Sequence, residues 1–352
     1  MDVAILYNEP VLPPEHGDFQ QEAGVLESVA AFEAALVGAG YDSWRLGVGD
    51  SVSAIFKRLS ERRPQVIVNF CEAFAGQTVG EPHLAALFEL LGIPYTGSPP
   101  ECLALVRDKA RTKWLLAGAG LPTAPFVLLI PGDPLPKQPF STWLANGRLF
   151  VKPAAEDASL GISQASVVAD WPALERQVEH ASRYGNVLVE PYIDGREFNV
   201  GVIALPELEC LPLAEIEFRT GSDLRWPIVT YEGKWAVGSA ADRATPVRCP
   251  ADLDGALANR IRKTALAAFR ITSCRDYARV DLRVDQAGNI FILEVNANPD
   301  AGPQAGLARA LEAGGIEYRD FVLRLVATAA ARDAHRNTGS FVAKGAAQTP
   351  IV

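Results

Sequence analysis

The chain has 352 residues, about half of them apolar, and a formal net charge of −9. A protein of this size is expected to form two or three domains, or one enzyme with several lobes. The acidic balance argues against a nucleic-acid partner, which requires a basic surface. No apolar run is long enough to span a membrane. The N-terminus carries no targeting segment, so a cytoplasmic location is expected.

Cysteine and histidine usage argues against two further kinds of site. The five cysteines are scattered, odd in number and without CxxC spacing, at Cys71, Cys102, Cys210, Cys249 and Cys274. None of the four histidines stands in an HExxH pattern. The sequence therefore predicts neither a disulfide framework nor a metal site built from cysteine or histidine.

The first 98 residues alternate short apolar strands with helical segments. The predicted strands are DVAILYNEP, YDSWRLGVG and PQVIVNFCE, each followed by a helix. This βαβαβα order predicts a doubly wound parallel sheet, with ligand-binding loops at the carboxyl ends of its strands. Glu9 and Glu72 stand in those loops. Because no GxGxxG or P-loop motif follows a strand, this domain is not expected to bind a nucleotide by itself.

The rest of the chain mixes helices with strands that favour antiparallel pairing. We expect a central α+β lobe over residues 99–186 and a C-terminal α+β lobe over residues 187–333. Residues 219–250 are polar and glycine-rich, which predicts a mobile loop. Residues 334–352 show little periodicity and are expected to be disordered.

The most informative segment is RVDLRVDQAGNIFILEVNANPD, residues 279–300, which predicts a hairpin with charged groups inside apolar strands. We expect Asp285 to pair with Ile290 across the turn. That register aligns four polar side chains on one face, with Arg279 opposite Asn296 and Asp281 opposite Glu294.

Two facing carboxylates repel one another, and a divalent cation between them removes the conflict. Oxygen ligands without histidine or cysteine select a hard ion, Mg²⁺ or Mn²⁺. A magnesium ion held by few protein carboxylates usually shares its shell with nucleotide phosphates. The alternative is an edge hairpin whose polar face meets water.

Two other segments carry groups that suit a nucleotide. Lys152 ends a strand before a loop of small residues that includes Ser159, an arrangement typical of a phosphate cradle. Glu190 follows three apolar residues and suits an acceptor for an adenine amine, and Glu197 follows a turn and suits ribose hydroxyls. Taken singly, a solvated lysine or an ordinary turn-flanking glutamate explains each of them.

In this order and spacing, the segments resemble the ATP-grasp superfamily, and within it the D-alanine–D-alanine ligases. The resemblance covers residues 66–330 and rests on five ordered motifs. They are GIPYTGS with DKARTKWLLAGAGLPTAP, VKPAAEDASLGIS, VLVEPYIDGREFNVGV, YEGKW, and ARVDLRVD followed by ILEVNANP. The resemblance implies an N-terminal α/β domain followed by two lobes that hold ATP between antiparallel sheets.

The resemblance also implies roles for individual residues. Phosphate-binding lysines are implied at Lys109, Lys152 and, in the mobile loop, Lys234. An adenine hinge is implied at Glu190, Tyr192 and Ile193, and a ribose-binding acid at Glu197. Ligands for Mg²⁺, with two ions expected, are implied at Asp281, Glu294 and Asn296. Arg279 matches an arginine that stabilises charge on the acylphosphate and on the tetrahedral intermediate, so Arg279 and Lys234 are the catalytic candidates.

The implied reaction joins a small-molecule carboxylate to a small-molecule amine. The carboxylate attacks the γ-phosphate of ATP to give an acylphosphate and ADP, and the amine then displaces phosphate. A homodimer is the implied assembly. The alternative of a different class is a non-catalytic nucleotide-binding subunit. Retention of the lysines, the arginine and all three metal ligands argues against it.

The sequence departs from the family where amino-acid substrates bind. YNEPVLPPEHGD replaces a Gly-Gly-x-Ser-x-Glu loop, and NFCEAFAG replaces a His-Gly segment. Pro191 stands at the position of a hinge lysine, and Trp235 at the position of a tyrosine. Asp300 stands at a glycine position, and Ala305 lies near a serine position. We therefore expect substrates other than two D-alanines, with true D-alanine–D-alanine ligation as the alternative.

The candidates for substrate contact are Glu9, Glu72, Trp235 and Asp300. The three acids would suit an amine-bearing or cationic acceptor. The alternative is that they are ordinary solvated loop residues.

Overall fold

The computed structural model describes residues 1–10, 19–156, 159–219, 225–236 and 238–338. The chain begins with a parallel sheet of strand order β2–β1–β3, formed by β1 (Asp2–Asn8), β2 (Asp42–Val48) and β3 (Val66–Phe70). Three helices alternate with these strands: α1 (Phe19–Val37), α2 (Val52–Glu61) and α3 (Glu81–Leu90). This order confirms the predicted βαβαβα unit.

Both faces of the parallel sheet are covered, because side chains alternate along β1. Val3 and Ile5 pack into one core with Phe32 of α1. Ala4 and Leu6 pack into a second core on the opposite face. The continuous apolar run of β1 is therefore explained by burial on two sides, as is typical of a doubly wound sheet.

The central part of the chain forms a four-stranded antiparallel sheet of order β4–β7–β5–β6. Before it come α4 (Pro100–Arg107) and α5 (Lys109–Gly118). The sheet and its helices comprise β4 (Val127–Leu129), α6 (Lys137–Asn146), β5 (Leu149–Pro153), β6 (Val167–Val168), α7 (Trp171–Ala181) and β7 (Val187–Pro191). This sheet has a core of its own, in which Phe140 and Leu174 of the two helices pack on strand residues.

The last part forms a six-stranded antiparallel sheet of order β11–β10–β8–β12–β13, with β9 paired to β8. Its strands are β8 (Gly195–Ala204), β9 (Leu208–Cys210), β10 (Ala214–Ile216), β11 (Val247–Arg248), β12 (Tyr277–Asp285) and β13 (Ile290–Asn296). Its helices are α8 (Tyr231–Trp235), α9 (Ala240–Arg243), α10 (Gly255–Ile271), α11 (Gly306–Ala313) and α12 (Tyr318–Thr338).

Two segments near the predicted borders of the central lobe pack with other parts of the chain. Cys102 and Leu103 of α4 belong to the core shared by the N-terminal domain and the six-stranded sheet. Strand β7, which follows the predicted border at residue 186, pairs with β4 and β5 of the four-stranded sheet. The chain then turns tightly into β8, where a Cβ on Gly195 would lie 2.0 Å from the Val284 carbonyl oxygen.

Two predicted loop regions also contain regular structure. Within residues 219–250, the described part includes helices α8 and α9 and strand β11, while residues 220–224 and 237 lie outside it. The predicted disordered tail began at residue 334, but α12 continues to Thr338. Residues 339–352 lie outside the described part. None of the helices in the described residues is both long and apolar enough to cross a membrane.

The hairpin of β12 and β13 has the predicted register at the polar residues and a different one at the turn. Asp281 lies opposite Glu294, as predicted. Ile290 pairs with Val284 rather than with Asp285, because the turn is one residue longer. A bulge at Leu293 absorbs the difference of one residue. Without that bulge, the turn register would send Glu294 to the opposite face.

Candidate active site

A cleft of about 630 Å³ lies between the two antiparallel sheets, a volume typical of small-ligand sites. The four-stranded sheet contributes Phe150, Lys152 and Glu190 to one wall. The six-stranded sheet contributes the opposite wall, which includes Glu197, Asn199, Arg279, Asp281, Arg283 and Glu294. Loops of the N-terminal domain and residues of α4 and α11 line the remaining end. The cleft therefore joins residues from every part of the described chain.

The buried carboxylate of Asp281 is held by two neighbours on the same wall. Arg279 forms a bidentate ion pair with it, with N–O distances of 2.8 Å. Asn199, directly across on β8, donates to Asp281 Oδ1 at 2.7 Å. These bonds offset the cost of placing an anion where little water reaches. The polar face of the hairpin thus faces a cleft and not open solvent, contrary to the edge-hairpin alternative.

Glu294 lies in the most cationic part of the cleft. Its side chain is about one-third exposed, and its carboxylate lies 3.6 Å from the ammonium of Lys109. Burial opposes its ionisation, but the charges of Lys109, Lys152 and Arg279, with that of Lys234, outweigh burial and lower the pKa of Glu294 to about 2. Glu294 is therefore a stable anion at neutral pH.

Lys109 is a buried lysine next to the cleft. It begins α5, whose N-terminus is capped by Asp108, and its side chain is buried. Its ammonium donates to the Glu156 carbonyl at 2.5 Å and lies 3.6 Å from the Glu294 carboxylate. Lys109 does not line the cleft, whereas Lys152 does. Lys152 thus faces the cleft while Lys109 contacts Glu294 beside it, and the phosphate contacts of both lysines stay predictions.

The donor set of Asp281, Glu294 and Asn296 suits a hard cation. All three line the cleft on the same side, and they offer carboxylate and amide oxygens, the ligands that Mg²⁺ prefers. Within the described ranges, no group of three or more His, Cys, Asp or Glu side chains is arranged to hold an ion alone. Such a site would need oxygens from a ligand, as magnesium–nucleotide sites do.

Glu190 is the centre of a buried cluster of charges in the central lobe. Its two carboxylate oxygens lie 2.8 Å from the ammonium groups of Lys113 and Lys152. Burial opposes ionisation of Glu190, but the two lysines lower its pKa to about 2. Both oxygens contact ammonium groups, so Glu190 holds two lysines, and its role as an acceptor for an adenine amine stays a prediction.

Glu197 forms a second buried ion pair, with Arg283. Two guanidinium nitrogens donate to Glu197 Oε2 at 2.6 and 2.9 Å. Burial raises the pKa of Glu197, and the Arg283 charge opposes that effect. Arg283 also donates to the carbonyls of Ile193 and Pro227. It therefore ties the crossover between the two sheets to the loop that follows β10.

The remaining nucleotide candidates line the same part of the cleft. Tyr192, Ile193 and Ser159 are among its lining residues, as predicted. The Tyr192 hydroxyl donates to the Pro227 carbonyl at 3.3 Å, and Trp226 exchanges two hydrogen bonds with the side chain of Gln164. The segment before α8 is thus bonded to both lobes.

Lys234 and Trp235 lie on α8 and face the cleft together. Thr230 caps this short helix by accepting from the Gly233 N–H at 3.1 Å, which sets the direction of the helix. The Lys234 ammonium lies 5.5 Å from the Trp235 ring centroid. Burial in the cleft lowers the pKa of Lys234, and the charge of Arg279 lowers it further.

The structure brings three of the four substrate candidates to the cleft. Glu72 and Asp300 line its far end, and Trp235 lines its side. Glu9 is not a lining residue; it is exposed and lies against Gly47 at the end of β2. The neighbouring Asn8 turns toward β3 instead, where it accepts from the Glu72 N–H at 2.8 Å. Side-chain alternation thus removes Glu9 from the site.

Four residues of the site were missed from the sequence, although spacing marks most of them. Lys113 follows Lys109 by one helical turn, so both point to one face of α5. Asn199 lies two residues after Glu197, and Arg283 lies two residues after Asp281. Each therefore shares a strand face with a residue that the sequence had already identified. Asn298 gave no such signal. It lies in the loop after β13, where it donates to Glu81 at 3.0 Å and accepts from the Tyr277 hydroxyl at 3.2 Å.

Two antiparallel sheets that enclose a cleft, with a buried lysine on one wall and opposed carboxylates on the other, are the arrangement of the ATP-grasp class. Comparison with solved structures agrees. A D-alanine–D-alanine ligase from Bacillus anthracis complexed with ATP aligns with a TM-score of 0.74, over 96% of this chain and 99% of that chain, at 20% identity. At 20% identity, this similarity shows that the two chains share a fold.

Sequence comparison defines the family. The profile of the family described as D-ala D-ala ligase C-terminus matches residues 115–327. A D-alanine–D-alanine ligase from Citrifermentans bemidjiense is 32% identical over 86% of this chain and 90% of its own. A Sinorhizobium fredii protein, y4sG, described as uncharacterized, is 34% identical over 74% of this chain and 73% of its own. The chain belongs to the D-alanine–D-alanine ligase family and is an ATP-dependent C–N ligase.

Proposed function

We propose that this enzyme ligates a small carboxylic acid to a small amine through an acylphosphate, with substrates other than two D-alanines. The observation that carries the proposal is the register of the hairpin. It sets two carboxylates and an amide on the cleft wall that faces Lys152 of the other lobe. This arrangement suits a magnesium–nucleotide whose γ-phosphate points toward the loop-lined end of the cleft.

The nucleotide would lie between the sheets. Tyr192 and Ile193 would border the base, and Glu197 would accept from ribose hydroxyls through Oε1, since Arg283 bonds Oε2. Lys152 and Lys234 would bind phosphate oxygens, and the backbone around Ser159 would add N–H donors. These contacts neutralise crowded anionic oxygens, which is the main requirement of phosphoryl transfer.

Asp281, Glu294 and Asn296 would hold Mg²⁺, with two ions expected. When bound, the cation would neutralise charge on the β- and γ-phosphates and help orient them. Glu294 stays ionised at neutral pH because of the surrounding lysines, so it would offer the cation a charged oxygen.

Arg279 and Lys234 would act at the reacting group. Both line the cleft beside the metal donors, so either cation reaches oxygens of a bound phosphate or carboxylate. Arg279 pairs with Asp281 and would exchange that contact for developing charge on the intermediate. The segment 225–236 would limit water access, because Tyr231 N–H donates to the Ile162 carbonyl and Gln164 bonds Trp226 across the cleft.

The far end of the cleft favours a changed substrate. Ala305 lines it and offers no hydroxyl, and Asp300 adds a carboxylate that Ser28 and the Gly302 N–H contact. The competing candidate is a true D-alanine–D-alanine ligase, which is favoured by relatives of that name at 31–35% identity.

An ADP-release assay separates the two candidates. The enzyme, ATP and Mg²⁺ are incubated with panels of amino acids, dipeptides and amines, and products are identified by mass spectrometry. We expect ADP and phosphate only when a suitable acid and amine are both present. Ligation of D-alanine as the best substrate would favour the competing candidate. Absence of ADP across broad panels, with folded protein, would contradict the ligase proposal.

A further inference from the structure

A lysine that the proposed mechanism does not use is buried next to one that it does. Lys113 is 1% exposed and lies on the side of Glu190 away from the cleft. Its ammonium contacts Glu190 at 2.8 Å and donates to the Thr123 hydroxyl at 2.6 Å. Thr123 gives its own hydrogen to the Ile292 carbonyl at 3.1 Å, so it can only accept from Lys113.

The cluster holds two cations and one anion, and only one of the cations faces the cleft. Lys152 is bound to the opposite oxygen of Glu190, also at 2.8 Å, and lines the cleft. A buried carboxylate that loses its last counter-ion is strongly destabilised. If Lys152 were the sole partner of Glu190, its move toward a phosphate would leave Glu190 buried without a counter-ion. Because Lys113 also pairs with Glu190, the carboxylate keeps a counter-ion when Lys152 moves.

We propose that Lys113 is a positioning residue that keeps Glu190 charge-paired, so that Lys152 can turn from Glu190 to a nucleotide phosphate. The inference rests on the proposed nucleotide site. In this proposal, Glu190 positions Lys152 by an ion pair when no nucleotide is bound. Lys113 remains paired with Glu190 when Lys152 leaves it for a phosphate. Lys113 itself touches neither nucleotide nor substrate.

The readout is the ratio of the adenosine Kd to the ADP Kd, measured by calorimetry with Mg²⁺ present. This ratio isolates the phosphate contribution, because adenosine shares the base and ribose. Lys113→Gln keeps polar contacts but removes the charge, and it should lower the ratio about tenfold, the order of one charge-assisted hydrogen bond. Adenosine affinity should change little. Lys263→Gln, the same change on the exposed side of α10, is the matched control and should leave both constants unchanged.

The double variant Lys113→Gln/Glu190→Gln tests the exchange directly. With Glu190 neutral, Lys152 is no longer retained, and the ratio should return to the wild-type value or exceed it. Equal weakening of adenosine and ADP in Lys113→Gln would indicate a structural role and overturn the proposal. A double variant whose ratio of adenosine Kd to ADP Kd stays tenfold below the wild-type value would also overturn the proposal. If the single variant does not fold, the double variant decides the question by itself. Wild-type protein that binds no nucleotide would instead overturn the proposed function.

Discussion

The two ends of the cleft are built differently. At the end proposed to bind the nucleotide, the charged groups lie on strands and on α5, are largely buried, and are paired at short distances, as in Lys113–Glu190–Lys152 and Glu197–Arg283. At the substrate end, Glu72, Asp300 and Arg309 lie on loops or on α11, and all three are exposed.

The difference shows where each kind of change is tolerated. A buried charge set on strands loses several kcal/mol if one member is removed, so its members must change together. Exposed loop residues carry little of the folding free energy and can change singly. This agrees with the proposal, in which the chain keeps the motifs assigned to the nucleotide and departs from the family motifs in the loops assigned to the substrate.

The most severe test is Glu294→Gln, which removes one charge from the implied metal donors. We expect turnover to fall on the order of 1,000-fold, the size of effect seen when a group that stabilises transition-state charge is lost. The melting temperature should also fall, because Glu294 pairs with the buried Lys109, so activity is compared at temperatures where both variants are folded. Steady-state ADP release and thermal unfolding measure the two effects. Glu209→Gln, on the exposed edge strand β9, is the control, and equal activity of the two variants would contradict the assignment.

A second test compares a buried ion pair with an exposed one. Arg283→Met leaves Glu197 without its counter-ion and should lower the free energy of unfolding by about 4 kcal/mol. Arg248→Met removes an exposed pair with Glu217 and should cost less than about 1 kcal/mol. Urea unfolding measures both values. Similar values would show that the nucleotide end is no more dependent on its charge pairing than the surface.

A third test uses pH at the nucleotide end. The pKa of Glu190 is about 2 in the folded protein, whereas an unperturbed glutamate, as in the unfolded chain, has a pKa of 4.5. The ionised form of Glu190 therefore stabilises the fold fully above pH 4.5. That stabilisation, at most about 3 kcal/mol, should be lost as the pH falls from 4.5 toward 2. Unfolding free energies over this range should fall less steeply for Glu190→Gln than for wild type. Parallel curves for the two proteins would show that Glu190 is not responsible.

The smallest effect is expected at the substrate end. Asp300→Asn should raise the KM of one substrate about threefold, as expected for an exposed charge, and should leave ADP affinity unchanged. Asp133→Asn, in an exposed loop outside the cleft, is the matched control. An altered ADP affinity in Asp300→Asn would show that the two ends are coupled.

Strand and helix periodicity made much of this site predictable. Alternation along β12 identified Arg279 and Asp281, and the motif resemblance identified Lys152, Glu190 and Glu197. Lys113 was predictable in principle from its helical spacing to Lys109. Glu9 lies outside the cleft lining because side chains alternate where the chain leaves β1, and Asn298 had no periodic element to mark it.

By itself, the amino-acid sequence determined the order of the elements, the alternating faces of the strands and the residue types available for binding. These properties follow from local geometry and from burial of apolar side chains. Only the tertiary structure decided which charges meet. The bulge at Leu293 keeps Glu294 on the cleft face, and packing of Ala110 of α5 with Leu188 of β7 brings Lys113 to Glu190. Pairing energies depend on distances of a few ångströms between distant segments, and sequence spacing does not specify those distances.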